Sequence, residues 1–261
     1  MTFETFLSRP GEKILIEVTR TRGSTPRETG TFMLVSADAL WGTVGGGHME
    51  FEAVDAARTM LAQGRREGFL DITLGPDSGQ CCGGRVELTL KWADHAAIDA
   101  LKTRLSREAG DYPDVYLYGA GHVGRALAVA LKPLPLHVTV IETRQDELDQ
   151  LQADVPQRLE AMPEATIGDI RPGGAVVIMT HDHALDFLIG AEALKRDDLA
   201  YIGMIGSKTK RAVFASWLRD AEQDSVLIEK LVLPIGGTRV RDKRPAVIAA
   251  LVAAELLAAL L

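Results

Sequence analysis

Cysteine is scarce in this chain: the 261 residues hold only two, Cys81 and Cys82. An adjacent pair does not suggest the disulfide framework of a small secreted domain, so a reducing compartment, the cytoplasm, is expected. Together with six histidines, the two cysteines show no recognisable zinc-ligand spacing. Surplus positive charge is missing too. The net charge is −7, which argues against a general nucleic-acid-binding role. No apolar run has the ~20 strongly apolar residues of a membrane span. The nearest approach, Pro245 to Leu261, is Ala-rich and carries Glu255, and it reads as a buried helix or an oligomer-interface helix, compatible with a homodimer. Met1 to Pro10 has no basic region followed by an apolar core, so no signal peptide is expected there. Internal repeats are absent.

What is present is the composition of a globular protein, 46% hydrophobic and 25% charged, in a length that suits one large or two modest domains. The sharpest local pattern is the apolar run Val115 to Tyr118 followed by Gly119-Ala120-Gly121-His122-Val123-Gly124 and an expected helix from Arg125 to Leu131. Strand, G-x-G-x-x-G and helix form the dinucleotide-binding fingerprint in its proper context. Gly119 permits the tight turn, Gly121 lets the backbone approach a pyrophosphate, and Gly124 allows close helix–strand packing. A second strand, His137 to Ile141, ends in Glu142, about 20 residues on, where a ribose-binding acid is expected. Arg144 follows, suited to a 2′-phosphate or simply solvated.

Strands and helices alternate from there. Strands are expected at Gln157 to Ala161, Ala175 to Met179, Ala200 to Ile202 and Leu231 to Leu233. Helices are expected at Asp146 to Ala153, Leu185 to Arg196, Lys208 to Asp220 and Pro245 to Leu261. That order predicts a parallel sheet covered by helices. Upstream, strands are expected at Lys13 to Thr21, Thr31 to Val35, Ala39 to Val44, Phe69 to Leu74 and Arg85 to Trp92, with helices at His48 to Gln63 and His95 to Ala109. The fold class is therefore α/β: an N-terminal α+β domain over residues 1–110, a short linker, and a C-terminal Rossmann-like parallel-sheet domain over 114–261.

Several segments carry chemistry, each beside a plainer reading. Thr180-His181-Asp182-His183 follows a strand at its carboxyl end, where open α/β sheets bind ligands; His181 and His183 suit metal ligation or proton transfer, or Asp182 only caps a helix. Ser207 and Lys208, with Lys210 and Arg211, open the next helix as an anion site or a plain helix start. Gly236 to Pro245 brings four cations to a glycine-containing loop, which suits a phosphate-bearing ligand or an acidic partner. Gly45-Gly46-Gly47 is a second anion cradle, or a hairpin-to-helix turn. Gln80-Cys81-Cys82 lies in a Gly-rich loop, a poor place to bury a thiol, and either cysteine can present a thiolate to a soft metal or carry sulfur.

Taken together these segments resemble the XdhC/CoxI family, accessory proteins of xanthine dehydrogenase and related molybdenum hydroxylases. The resemblance rests on Arg22-Gly23-Ser24-Thr25-Pro26-Arg27, Thr43 to Glu50, Leu74-Gly75-Pro76 with Gly79 to Gly84, Gly119 to Gly124, Thr180 to His183, Gly203 to Lys208, and the ending from Pro234. The Cys-Cys loop and the ending are more similar to the xanthine dehydrogenase branch. The resemblance implies a carrier, more a chaperone than a catalyst, that binds the molybdenum cofactor (molybdopterin). It implies support for sulfuration by a cysteine desulfurase and delivery to apo xanthine dehydrogenase. Bound NAD(P) or another nucleotide is a further expectation for the Rossmann domain. The other readings are an NAD(P)-dependent oxidoreductase using His181 or His183, and a nucleotide-sensing regulatory module. Within this chain the loop from Arg239 to Arg244 is more basic than the resemblance leads one to expect.

Overall fold

The computed structural model describes residues 1–75, 83–221 and 225–261, and the chain divides into two compact units, Met1–Arg107 and Glu108–Leu261.

The first unit holds α1 (Phe3–Leu7), β1 (Ile14–Arg22), β2 (Phe32–Val35), β3 (Leu40–Gly42), α2 (Gly47–Gln63), β4 (Glu67–Thr73), β5 (Arg85–Trp92) and α3 (His95–Gly110). Its sheet runs β3-β2-β1-β5-β4, antiparallel throughout. The period-two pattern of a strand places Ile14, Ile16 and Val18 of β1 on one face, with Val86, Leu88 and Leu90 of β5. Helix α2 covers that face with Met49, Ala53, Ala57 and Met60. Strand β2 is buried along its whole length because both faces are covered. Met33 and Val35 join the α2 side, while Phe32 and Leu34 meet Phe6 of α1 and Leu101 of α3. Gly64, at φ 66°, ends α2 in a left-handed cap.

The second unit holds β6 (Asp114–Tyr118), α4 (His122–Leu131), β7 (His137–Glu142), α5 (Gln145–Leu148), β8 (Gln157–Leu159), β9 (Ala175–Ile178), α6 (His183–Leu194), β10 (Tyr201–Met204), α7 (Lys208–Asp220), β11 (Leu231–Val232) and α8 (Pro245–Leu260). All neighbours pair in parallel in the order β11-β10-β9-β6-β7-β8, that of a doubly wound Rossmann sheet. Order reverses between β6 and β9, so the switch point falls between their carboxyl ends. Strands β9 and β10 are buried end to end, with helices on both faces. Helix α8 buries Ala249, Val252, Ala253 and Leu256 at helical spacing against the cluster that includes α4. Its lone acid, Glu255, accepts from the Tyr201 hydroxyl at 2.7 Å and the Gly236 N–H at 3.0 Å. The remaining face presents Ala250, Ala254, Ala258 and Ala259 to solvent. No helix among the described residues is long and apolar enough to cross a membrane.

Some elements depart from the sequence expectation. Helix α4 starts three residues before Arg125, because the turn at Gly119 is so tight that Gly121 already serves as the N-cap. Helix α5 stops at Leu148 rather than Ala153, with Asp149 as its C-cap. Helix α1 and the 3-10 stretches Pro163–Asp169 and Ser225–Lys230 went unread because each is too short to display a helical period.

Candidate functional site

The residues expected to bind ligand in the second unit gather at one edge of the parallel sheet, the carboxyl ends of β6, β7, β9 and β10. Three glycines of the fingerprint play separable parts. Gly119 has φ 110°, and a Cβ there would lie 2.4 Å from the Met179 carbonyl oxygen. On Gly124 a Cβ would fall 1.9 Å from the Gly119 carbonyl oxygen, so this residue lets α4 sit against the turn. Gly121 differs. Its φ is −66°, open to any residue, and a Cβ there meets nothing within 4 Å. The fold itself does not require glycine at Gly121; a ligand approaching the backbone would. No side chain caps α4 at this end, and His122 beside it is exposed.

Glu142, only 3% exposed, is spent inside the protein. It accepts from the Ala120 N–H at 2.8 Å, the Thr143 N–H at 2.9 Å and the Arg144 N–H at 3.2 Å. The Arg144 guanidinium adds contacts at 3.3 and 3.4 Å. Burial pushes the carboxyl pKa up, but the Ala120 N–H, the Arg144 guanidinium and the Thr143 N–H outweigh it, and the group ends below the usual glutamate range. A depressed folded pKa gives stability that is present above the unfolded value, about 4.3, and lost as pH falls through the folded value. Glu142→Gln is therefore expected to cost about 2 kcal/mol at pH 7, from charge-assisted hydrogen bonds, and to flatten the acid limb below pH ~4. Urea titrations at pH 7 and pH 3.5 read both; an equal loss at both values would refute the assignment.

The loop after β9 is organised from below. Asp182 caps α6, accepting from the Ala184 N–H at 2.8 Å, while His181 and His183 stand exposed. Asp186, fully buried in α6, accepts from the Thr180 hydroxyl at 2.6 Å and the Thr180 N–H at 3.0 Å, and forms an ion pair with Lys210 of α7. The Lys210 ammonium also donates to the Ile205 carbonyl at 2.9 Å. One buried pair thus ties the loops that follow β9 and β10. Ser207 caps α7 by accepting from the Lys210 N–H at 3.3 Å, and Lys208 is exposed. Arg211 donates to the carbonyls of Ile228 and Leu231. Of the cations expected at this helix start, only Lys208 is left for an anion.

Beside these loops lies a cavity of about 690 Å3, with His183, Ser207, Lys210, Ile235, Arg241 and Lys243 in its wall. Its size falls within the range of small-molecule sites. Lys210, Arg241 and Lys243 belong to segments that the sequence offered for an anion; the buried partner of Lys210, Asp186, was missed. The only local signal for Asp186 was a carboxylate, one of two with Glu192, on an otherwise apolar helix.

In the first unit, Gly45, Gly46 and Gly47 have φ of 137°, 74° and 63°, as the turn into α2 demands. Glu50, one turn into that helix, accepts from the Gly46 N–H at 3.2 Å and pairs with the Thr43 hydroxyl. The chain's own carboxylate therefore occupies that cradle. Gln80, Cys81 and Cys82 lie outside the described residues. Among the described residues no group of three or more His, Cys, Asp or Glu is placed to hold a metal ion.

Fold and site define a Rossmann unit with an open sheet edge, joined in one chain to an antiparallel α+β unit. The XdhC Rossmann domain model matches residues 115–256, and the XdhC and CoxI family model matches residues 7–72. The chain belongs to the XdhC family. It is 28% identical over 256 residues to the uncharacterized protein YqeB of Escherichia coli K12, an alignment covering 93% of this chain and 42% of that protein. The chain thus spans less than half the length of that relative. A crystal structure described as a xanthine dehydrogenase from Bacillus halodurans superposes with a TM-score of 0.79 at 18% identity, over 97% of this chain and 93% of that one. At that identity the likeness concerns the fold.

Proposed function

We propose that this protein is a non-catalytic carrier that holds the molybdenum cofactor, supports its sulfuration by a cysteine desulfurase and delivers it to an apo xanthine dehydrogenase-type hydroxylase in the cytoplasm. The observation that carries the reading is Gly121: glycine stands where the fold does not need it, at an open, uncapped helix start on the sheet edge of an XdhC Rossmann domain. The cargo brings a phosphate and a soft, dithiolene-held molybdenum. The phosphate end suits the helix start and the adjoining cationic cavity. For the metal end, Cys81 and Cys82 are the soft thiol donors of the chain and suit molybdenum on chemical grounds. Glu142 supports a cargo other than NAD(P), because its carboxylate is already engaged and has little left to offer a ribose hydroxyl.

Equilibrium binding of anaerobically prepared molybdenum cofactor to the purified chain tests this. Tight binding that weakens at least tenfold in Cys81→Ala/Cys82→Ala is the expected result. No binding by the unaltered chain would overturn the carrier reading in favour of a nucleotide-dependent enzyme or sensor.

A further inference from the structure

We propose that the free edge of β4 is a docking site for an extended segment of another protein. The segment adds a strand to the sheet of the first unit and sets an apolar and an acidic side chain into the crevice between β4 and α2. The inference goes beyond the carrier reading and uses none of its residues.

Among the described residues the two sheets have four edge strands. β3, β8 and β11 hold three, three and two residues, too few to template a partner, whereas β4 holds seven. Its sequence from Glu67 to Thr73 contains no proline or lysine, and it pairs with β5 residue for residue without a bulge. Its only guards are Glu67 and Asp71, and Asp71 is already matched by Arg85. Hydrogen-bond parity fixes where the backbone points. The Arg66 carbonyl accepts from the Trp92 N–H at 2.9 Å and the Leu74 N–H donates to the Gly84 carbonyl at 2.8 Å, so the even-numbered residues bond to β5. The N–H and C=O groups of Glu67, Phe69, Asp71 and Thr73 therefore point away from the sheet. All four residues are exposed, and these groups have no hydrogen-bond partner among the described residues. Donors and acceptors at every second residue of a regular edge match one kind of ligand, an extended main chain. The Phe69 ring, 57% exposed, would be covered by the added strand.

The crevice beside this edge selects side chains. Thr59 and Met60 of α2, Gly68 and Leu70 of β4, Leu90 of β5 and Arg65 stand in its wall. Its volume, about 180 Å3, lies below the range of small-molecule sites and suits one or two side chains of a bound strand. Gly68 keeps it open. Its backbone has no positive φ, so the strand does not demand glycine, but a Cβ there would lie 2.7 Å from the Met60 sulfur. Glycine inside a strand marks a close approach of another group. The wall is mostly apolar, and its one cation, Arg65, forms no ion pair among the described residues. An apolar side chain and a carboxylate two positions apart on the bound strand therefore fit it. A second copy of this chain fits the edge badly. Symmetric antiparallel pairing has three registers that join three or more of the four outward residues. Two set like charges face to face, Glu67 against Asp71 or Asp71 against its own copy, and the third sets Phe69 against Asp71 twice.

Panning a random-sequence peptide library displayed on phage against the full chain tests the site. Enriched peptides are expected to carry an acidic residue two positions from an apolar one. By fluorescence anisotropy, the best of them should bind about tenfold or more weakly to Arg65→Gln and to Phe69→Pro, with little change in Tm. Proline at Phe69 removes an outward N–H and no bond within the sheet, as edge strands tolerate. A scan of N-methyl groups along the peptide, read with the unaltered chain, does not depend on how that variant folds. Loss of binding at every second peptide residue is the expected result. Failure to enrich any peptide, an N-methyl scan without the period of two, or full binding by Phe69→Pro overturns the proposal. A solution dimer that Phe69→Pro dissociates overturns it in favour of a second copy. No cofactor enters these measurements, so failure of the carrier reading is distinguished from failure of this site.

Discussion

Lys210→Met is expected to lower the Tm of the protein by on the order of 10 °C. The substitution leaves the Asp186 carboxylate, fully buried between α6 and the loop after β9, without its counter-charge. Removing one member of a buried ion pair costs roughly 3–5 kcal/mol, and at this size each kcal/mol moves Tm by roughly 2–4 °C. The Thr180 hydroxyl and N–H continue to donate to Asp186, but hydrogen bonds alone do not neutralise a desolvated charge. Asp186→Asn/Lys210→Met should recover part of the loss, because it removes the orphaned charge and keeps an acceptor for Thr180. Differential scanning calorimetry decides the matter: a single variant within 1 °C of the parent would mean that water reaches the pair. The same substitution bears on the site. Lys210 anchors the Ile205 carbonyl and lines the cavity, so loosening it frees the loop after β10, which carries Ser207.

Alanine at Gly124 is expected to unfold the second unit or cost about 3 kcal/mol or more, whereas alanine at Gly121 should leave Tm unchanged or slightly raised. The chemistry is the same one methyl group in both variants; the surroundings differ. At Gly124 the methyl would sit 1.9 Å from the Gly119 carbonyl oxygen, a backbone atom of a turn already held at φ 110°. That turn has nowhere to go, since Gly119 is itself pressed against Met179. Overpacking a close contact with backbone on both sides lies at the upper end of such penalties. At Gly121 the backbone is ordinary and the space is empty, so the methyl only restricts the unfolded chain, worth roughly 0.4–1 kcal/mol. The methyl does intrude where a ligand would approach. Circular-dichroism melts and cofactor titrations on both variants separate the roles. Normal cofactor binding by Gly121→Ala would remove the ligand's claim on that residue.

Much of the architecture was legible because it is written in local pattern. Period-two burial marks β1 and β5, which the sequence bounded within a residue. Alternating strand and helix after Asp114 announced the parallel sheet, and the glycine spacing placed the tight turn between β6 and α4. Elements escaped where length or context overrode pattern. Neither 3-10 stretch completes enough turns to show a period. Helix α5 ends at Leu148 although the residues after it continue to look helical.

By itself, the sequence determined the two-part organisation, the Rossmann unit and its family, because short-range periodicity and motif order are properties of neighbouring residues. Only the tertiary structure decided which polar groups remain available to a ligand. Glu142, Glu50, Lys210 and Arg211 all read as candidate or neighbouring site residues, and folding spends each on an internal partner. Lys210 finds Asp186 across twenty-four positions of chain, and Arg211 finds Leu231 across twenty. Such pairings follow from the crossing of α6 and α7 over one sheet, not from spacing along the chain. Arg241 and Lys243, in the cavity wall, have no ion-pair partner among the described residues, and a charge left unmatched within the protein has more to gain from an outside partner than one already matched.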